Sequence, residues 1–138
     1  MFTLTRESPL PPAEVWRRVA ALEGHTETVP LTTTIASGEP ALGWQFTVRT
    51  ALGPFRFDDT MVVDAWDPPR QWRIRKTGRL SGWAEVVVIP YAGGSRLSWT
   101  EELWIGSRGL RRLTTRVGDV VGPLLFGRVV DRLVAVGP

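Results

Sequence analysis

The sequence predicts an α+β fold: a seven-stranded antiparallel sheet covered on one face by helices. Apolar residues alternate with a period of two from about residue 31 to residue 105, and Gly- or Pro-bearing turns break the run at regular intervals. A helical period flanks this region on both sides. It is short after Pro11-Pro12 and long from Leu110 onwards. With 138 residues and no internal repeat, charge block or low-complexity linker, the chain reads as one domain, 1–138.

Residues 2–7 alternate and form the first expected strand. Pro11 and Pro12 suit a first helical turn, where a missing N–H costs nothing, and Glu14 there favours the helix dipole. Val15, Trp16, Val19 and Leu22 then share one face of a helix that stops near Gly24. Residues 25–30 are a loop or one extra helical turn. Strands follow at 31–37, 43–51, 54–66, 71–78, 83–90 and 95–105. Their separators include Gly38-Glu39-Pro40, Leu52-Gly53-Pro54, Asp67-Pro68-Pro69-Arg70 and Ala92-Gly93-Gly94, residues that supply the φ values turns need. The last helix carries an apolar stripe through Leu110, Leu113, Val117, Val120, Val121, Leu124, Leu125, Val129, Leu133 and Val136, interrupted by Gly118, Gly122 and Pro123. A kink is expected near Pro123.

The composition excludes several classes. There are no cysteines, hence no disulfide framework and no thiolate metal site, and no metal or cofactor is expected. The opening residues MFTLTRESPLPP lack a basic segment followed by a long apolar run, so no signal peptide is expected. No stretch approaches the length of a membrane span, and the expected location is the cytoplasm. Net charge is +3, and of the 17 basic side chains all but Lys76 are arginine. They are spread along the chain and interleaved with acids, which does not predict a nucleic-acid surface. No Gly-x-Ser-x-Gly elbow and no nucleotide-binding glycine motif is present.

Three segments carry a resemblance: Pro11-Pro12-Ala13-Glu14-Val15-Trp16 after the first strand, Asp67-Pro68-Pro69-Arg70-Gln71-Trp72 between two strands, and Gly93-Gly94-Ser95-Arg96-Leu97-Ser98-Trp99-Thr100-Glu101 entering the last strand. In this order and spacing the chain resembles the SRPBCC superfamily, which includes START, birch-pollen-allergen-like and polyketide cyclase/dehydrase proteins. The resemblance covers nearly the whole chain. It implies a helix-grip fold, a curved sheet around the long C-terminal helix, with a cavity between them for lipids, sterols, polyketides or other hydrophobic molecules. It implies no particular catalytic residue.

Alternation selects the inward face of each strand. Trp44, Phe46 and Val48 share one face. Phe55, Phe57, Met61, Val63 and Ala65 share the next, with Asp59 in their row. Trp72 and Ile74 go with Lys76; Trp83, Val87 and Ile89 with Glu85; and Leu97, Trp99, Leu103 and Ile105 with Glu101. The candidate ligand-binding residues are therefore Trp44, Phe46, Phe57, Met61, Trp72, Trp83 and Trp99, with Val117 and Val121 from the last helix. Asp59, Lys76, Glu85 and Glu101 are the candidate catalytic or orienting groups. Pairing through a turn at Tyr91 to Gly94 is expected to put Glu85 opposite Glu101, and pairing through Asp67 to Arg70 puts Asp59 diagonal to Lys76. Two facing carboxylates would push one pKa up, a device of acid/base sites. A one-residue slip, a bulge or plain ion pairs would also satisfy the pattern.

The seven tryptophans fit either core packing or an aromatic pocket wall. His25, the single histidine, falls in the loop after the first helix, as a surface residue or an acid/base group. Arg108, Arg112 and Arg116, with Arg111 beside them, form a basic stripe that is either solvated or in peripheral contact with anionic lipid. The leading expectation is a protein that binds a small hydrophobic ligand. A cofactor-free polyketide cyclase/dehydrase-like enzyme and a protein-interaction module are the alternatives. Oligomeric state is left open.

Overall fold

The computed structural model describes residues 1–21, 32–35, 38–78, 80–105 and 111–135. In chain order the elements are β1 (Phe2–Ser8), α1 (Pro12–Ala20), β2 (Thr32–Ile35), β3 (Gln45–Leu52), β4 (Phe55–Asp67), β5 (Gln71–Thr77), β6 (Leu80–Tyr91), β7 (Gly94–Ile105) and α2 (Arg111–Val134). The expected extra turn at 25–30, His25 and Arg108 lie outside the described residues.

The strands form one antiparallel sheet in the order β1-β7-β6-β5-β4-β3-β2. β2 to β7 are a meander, and β1 closes the far edge by pairing Leu4 with Trp99 and Ser8 with Ser95. Burial follows the period of two most cleanly on β5, where Trp72, Ile74 and Lys76 are buried between exposed Arg73, Arg75 and Thr77. On β4 the register shifts between Val63 and Ala65. This bulge bends the strand and exchanges its faces. Ala65 therefore does not follow Val63 inward, as alternation predicts. Trp66 does, meeting Trp16 of α1 edge-on with ring centroids 5.3 Å apart.

The second departure lies at the β6–β7 hairpin. Tyr91 pairs with Gly94, so the loop is only Ala92-Gly93, with φ values of 48° and 82°. A two-residue turn with both central φ values positive matches the twist of the flanking strands. The turn falls at Tyr91 to Gly94 as expected, but the register it sets pairs Glu85 with Thr100 and Ala84 with Glu101. Cross-strand partners share a face, so Ala84, Val86 and Val88 face the core with Glu101, Trp99 and Leu97, while Trp83, Glu85 and Val87 face outward and Ile89 is exposed.

Both helices lie on the same face of the sheet. α1 buries Val15 and Val19 against β6 and β7, and its C-terminal end is held where the Trp72 indole donates to the Val19 carbonyl at 3.0 Å. α2 packs on β7 and β1. Its closest approach is made by glycines: a β-carbon on Gly122 would collide with the Phe2 ring, and one on Gly118 would press on the Leu103 carbonyl at 3.2 Å. Phe126, Val129, Val130 and Val134 continue this row toward the C-terminal end. That end is fixed by polar contacts. Ser8 donates to the Val134 carbonyl at 2.7 Å, Arg18 to the Ala135 carbonyl at 2.7 Å, and Arg6 to Asp131 at 2.7 Å. Ser8 and Arg18 thereby satisfy carbonyls that the helix end leaves open, while Arg6 holds a side chain of the last turns. At the other end the N-terminal amine pairs with Asp119. The helix runs on through Pro123, which cannot donate to the Asp119 carbonyl one turn back.

Candidate functional site

The concave face carries one polar group of note in an apolar field. Lys76 Nζ donates to Glu101 Oε1 at 2.9 Å, and the two side chains are 6% and 1% exposed. They sit on strands separated by β6. Lys76 pairs with Gly82, and Glu101 pairs with Ala84, so the lysine must lie across β6 to reach its partner. The two smallest side chains of that strand leave the path open. Gly82 is also required by its backbone, since it adopts φ 135° and a β-carbon would strike the Glu102 carbonyl. The ammonium lies 5.8 Å from the Phe126 ring of α2, which adds a cation–π contact to the pair. Glu101 Oε2 is buried and has no hydrogen-bond partner among the described residues.

Asp59 is buried on the same face, two residues along β4 from Met61, the register partner of Lys76. It lies diagonal to the lysine, as expected. Its side chain occupies the space beside Gly78, where any β-carbon would collide with it. Glu85 does not join these groups. It faces outward between Arg73 and Thr100 of the neighbouring strands, so the expected Glu85–Glu101 carboxylate pair does not form. The turn at Tyr91 to Gly94 sets a register one residue from the expected one, with Ala84 opposite Glu101.

Around the ion pair runs an aromatic chain. Trp72 meets Trp99 edge-on at 5.7 Å, Trp99 stacks on Phe126 at 5.9 Å, and Phe126 stacks on Phe2 at 6.3 Å. Along the β3–β4 arm, Trp44 stacks on Phe46 at 4.8 Å, Met61 is buried, and Phe57 and Val48 are half-buried on the same face. The structure thus brings Trp44, Phe46, Phe57, Met61, Trp72 and Trp99 onto one concave surface. Trp83 is a correction: it lies on the convex face, 5.1 Å from the Arg73 guanidinium, with its indole donating to Glu102 at 3.3 Å. Val117 and Val121 are 53% and 41% exposed. At about 100° per residue Val121 is turned sideways from Gly122, and Val117 lies about 140° from it, close to the outward Leu124. Asp119, which pairs with the N-terminal amine, lies on the opposite flank of the helix from Val121.

Phe126 is the residue the sequence reading missed. The signal was present as a second helical row, Gly118, Gly122, Phe126 and Val129 or Val130, at spacings of three and four. Trp66 was missed because a bulge leaves no trace in alternation. A surface pocket of about 270 Å³, lined by Glu7, Ser8, Pro9, Tyr91 and Ala92, opens at the end of β1 remote from Phe2 and Glu101. Among the described residues no cluster of His, Asp or Glu could hold a metal ion, and no helix is long and apolar enough to cross a membrane.

A seven-stranded antiparallel sheet gripping a long C-terminal helix over an aromatic concave face is the helix-grip fold. The chain belongs to the polyketide cyclase / dehydrase and lipid transport family, whose model matches residues 1–136. Solved structures of the same fold include a protein from Thermus thermophilus, at 19% identity over 99% of each chain with a TM-score of 0.70. Ara h 8.0201 is similar at 15% identity, covering 96% of this chain and 95% of its own, with a TM-score of 0.69. The ZhuI aromatase/cyclase from a Streptomyces species is similar at 18% identity over 96% and 88%, with a TM-score of 0.67. A search of curated proteins finds no match.

Proposed function

We propose that this protein binds a small hydrophobic molecule between the concave face of the sheet and α2. One observation carries the reading. The helices pack chiefly on β1, β7 and β6, with Trp16 reaching Trp66 at the end of β4, yet the apolar inner face continues along β4 and β3 through Met61, Phe57, Phe46 and Val48. An apolar surface with a few placed polar groups is what ligand sites are made of. Lys76, Glu101 and Asp59 are the polar groups in question, and Val121 borders the space from α2. Membership of a family described by polyketide cyclisation and lipid transport supports the same reading.

Titration with the neutral fluorescent probe N-phenyl-naphthylamine tests it. The expected result is saturable binding of one probe per chain. Phe57→Arg, at a half-buried inward position, should weaken binding by at least about tenfold, the worth of one buried aromatic side chain, while leaving the melting temperature near that of the parent. Equal affinity in parent and variant, or no saturable binding, would refute the proposal.

The Lys76–Glu101 pair favours a second reading, as a cofactor-free cyclase/dehydrase-like enzyme. A carboxylate with one oxygen held by an ammonium and the other unpartnered can accept a proton from a bound reactive chain. On this reading Glu101→Gln abolishes turnover of a polyketide-like substrate while retaining probe binding. Loss of both together would assign the pair to structure alone.

A further inference from the structure

We infer that the outward face of α2 is a docking surface for anionic lipid membranes. The helix is apolar on two opposite sides. One side, the Gly118, Gly122, Phe126 and Val130 row, is covered by the sheet. The other carries Leu113, Val120 and Leu124, which are 61%, 69% and 75% exposed. These three recur at spacings of seven and four and lie in one line about 160–180° from Gly122; Asp131, paired with Arg6, ends that line about two turns beyond Leu124. A helix on a water-facing surface normally turns polar residues outward, so an outward apolar line marks an interaction surface.

The charges around that line name the partner. On the sheet, its turns and α1, Arg6, Arg17, Arg18, Arg49, Arg70, Arg73 and Arg96 pair with acids of this chain, and among the described residues there only Arg56 and Arg75, on the convex side of β4 and β5, form no ion pair. α2 is different. Its Arg112, Arg116, Arg128 and Arg132 are exposed and form no ion pair among the described residues. The two acids of the helix are already engaged, Asp119 by the N-terminal amine and Asp131 by Arg6. On the helical wheel Arg112 and Arg116 flank one side of the apolar line, and Arg128 and Arg132 the other. An apolar ridge between two rows of uncompensated guanidinium groups matches a surface that is anionic at headgroup level and hydrocarbon beneath. It does not match nucleic acid, which offers phosphates but no apolar layer. A second copy of the chain would bring like charges together. This inference concerns the outer face and does not depend on a ligand inside the grip.

Co-sedimentation with phosphatidylcholine vesicles, with and without phosphatidylglycerol, tests it. Binding is expected only to the anionic vesicles and should fall with added salt. Arg112→Glu/Arg116→Glu should lower affinity by more than about 25-fold, at about fivefold for each arginine near an anionic surface. Val120→Asp/Leu124→Asp, both at exposed positions, should lower it by at least about tenfold. Arg56→Glu/Arg75→Glu, on the convex face of β4 and β5, makes the same double charge reversal and should leave binding unchanged. Absence of binding to anionic vesicles overturns the inference. So does binding that survives the aspartate variant but not the arginine variant, which would mean an anion site without insertion. Concentration-dependent dimers abolished by the aspartate variant, without vesicle binding, would assign the face to a second copy instead.

Discussion

Lys76 and Glu101 show how a costly pair is made tolerable in an apolar field. Removing two charges from water costs several kcal/mol each, and their mutual attraction and hydrogen bonding offset it only with good geometry. The 2.9 Å contact and the Phe126 ring above the ammonium supply that geometry. Glu101→Ala would strand a buried ammonium and should destabilise the fold by about 3–5 kcal/mol. Lys76→Met/Glu101→Leu, which removes both charges, should recover most of that loss. Urea denaturation distinguishes the two, and equal losses in both variants would mean that the pair contributes packing rather than charge balance. Ala92 is a smaller case. At φ 48° it holds a left-handed conformation that disfavours a β-carbon and that asparagine tolerates. Ala92→Asn should stabilise the β6–β7 hairpin by roughly 0.5–1 kcal/mol, read as a rise in melting temperature. A fall would show that the turn relaxes around alanine.

At the scale of elements, the seating of α2 depends on small residues where it crosses the sheet. Alanine is intrinsically favoured over glycine in a helix by about 1 kcal/mol, yet Gly122→Ala would drive a methyl group into the Phe2 ring. Overpacking of this kind costs about 1–3 kcal/mol. The steric term should win, and chemical denaturation should show a less stable variant. A gain in stability would mean that α2 sits further from β1 than described. α1 gives a pH prediction. Hydrogen bonds from Arg17 and Arg18 hold the Glu14 carboxyl down at about 2, from an ordinary 4.5. A depressed carboxylate pKa stabilises the folded state above the unfolded value, and the contribution is lost as pH falls through the folded one. Melting curves of the parent and Glu14→Gln should therefore separate above pH 4.5 and converge toward pH 2. The gap should be small, because the group is exposed and solvent-screened. A constant gap across that range would exclude the carboxylate as its source.

Considered as a whole, the molecule was readable wherever one local signal sufficed. The meander, the first helix after Pro11-Pro12 and the inward placement of Asp59, Lys76 and Glu101 all follow from alternation within single strands. What depended on relations between strands was not readable. A run of Ala92-Gly93-Gly94 is compatible with turns of two or three residues, and the choice decides whether Glu85 or Ala84 faces Glu101. The bulge that turns Trp66 inward is set by how β4 must bend against β5. The facing of α2 was ambiguous because the helix is apolar on opposite sides, so periodicity alone could not choose between the Phe126 row and the Leu124 row.

The central claim, that a hydrophobic molecule lodges against the concave face, is tested most directly by the indole N–H signals of the tryptophans in a proton–nitrogen correlation spectrum recorded during titration with N-phenyl-naphthylamine. Trp44 and Trp99 belong to the concave surface, whereas Trp83 lies on the convex face. The account predicts saturable shifts of the Trp44 and Trp99 signals, together with the backbone amides of Phe57 and Met61, while Trp83 stays in place. Shifts confined to Trp83, or to the α2 amides around Leu113, Val120 and Leu124, would contradict it.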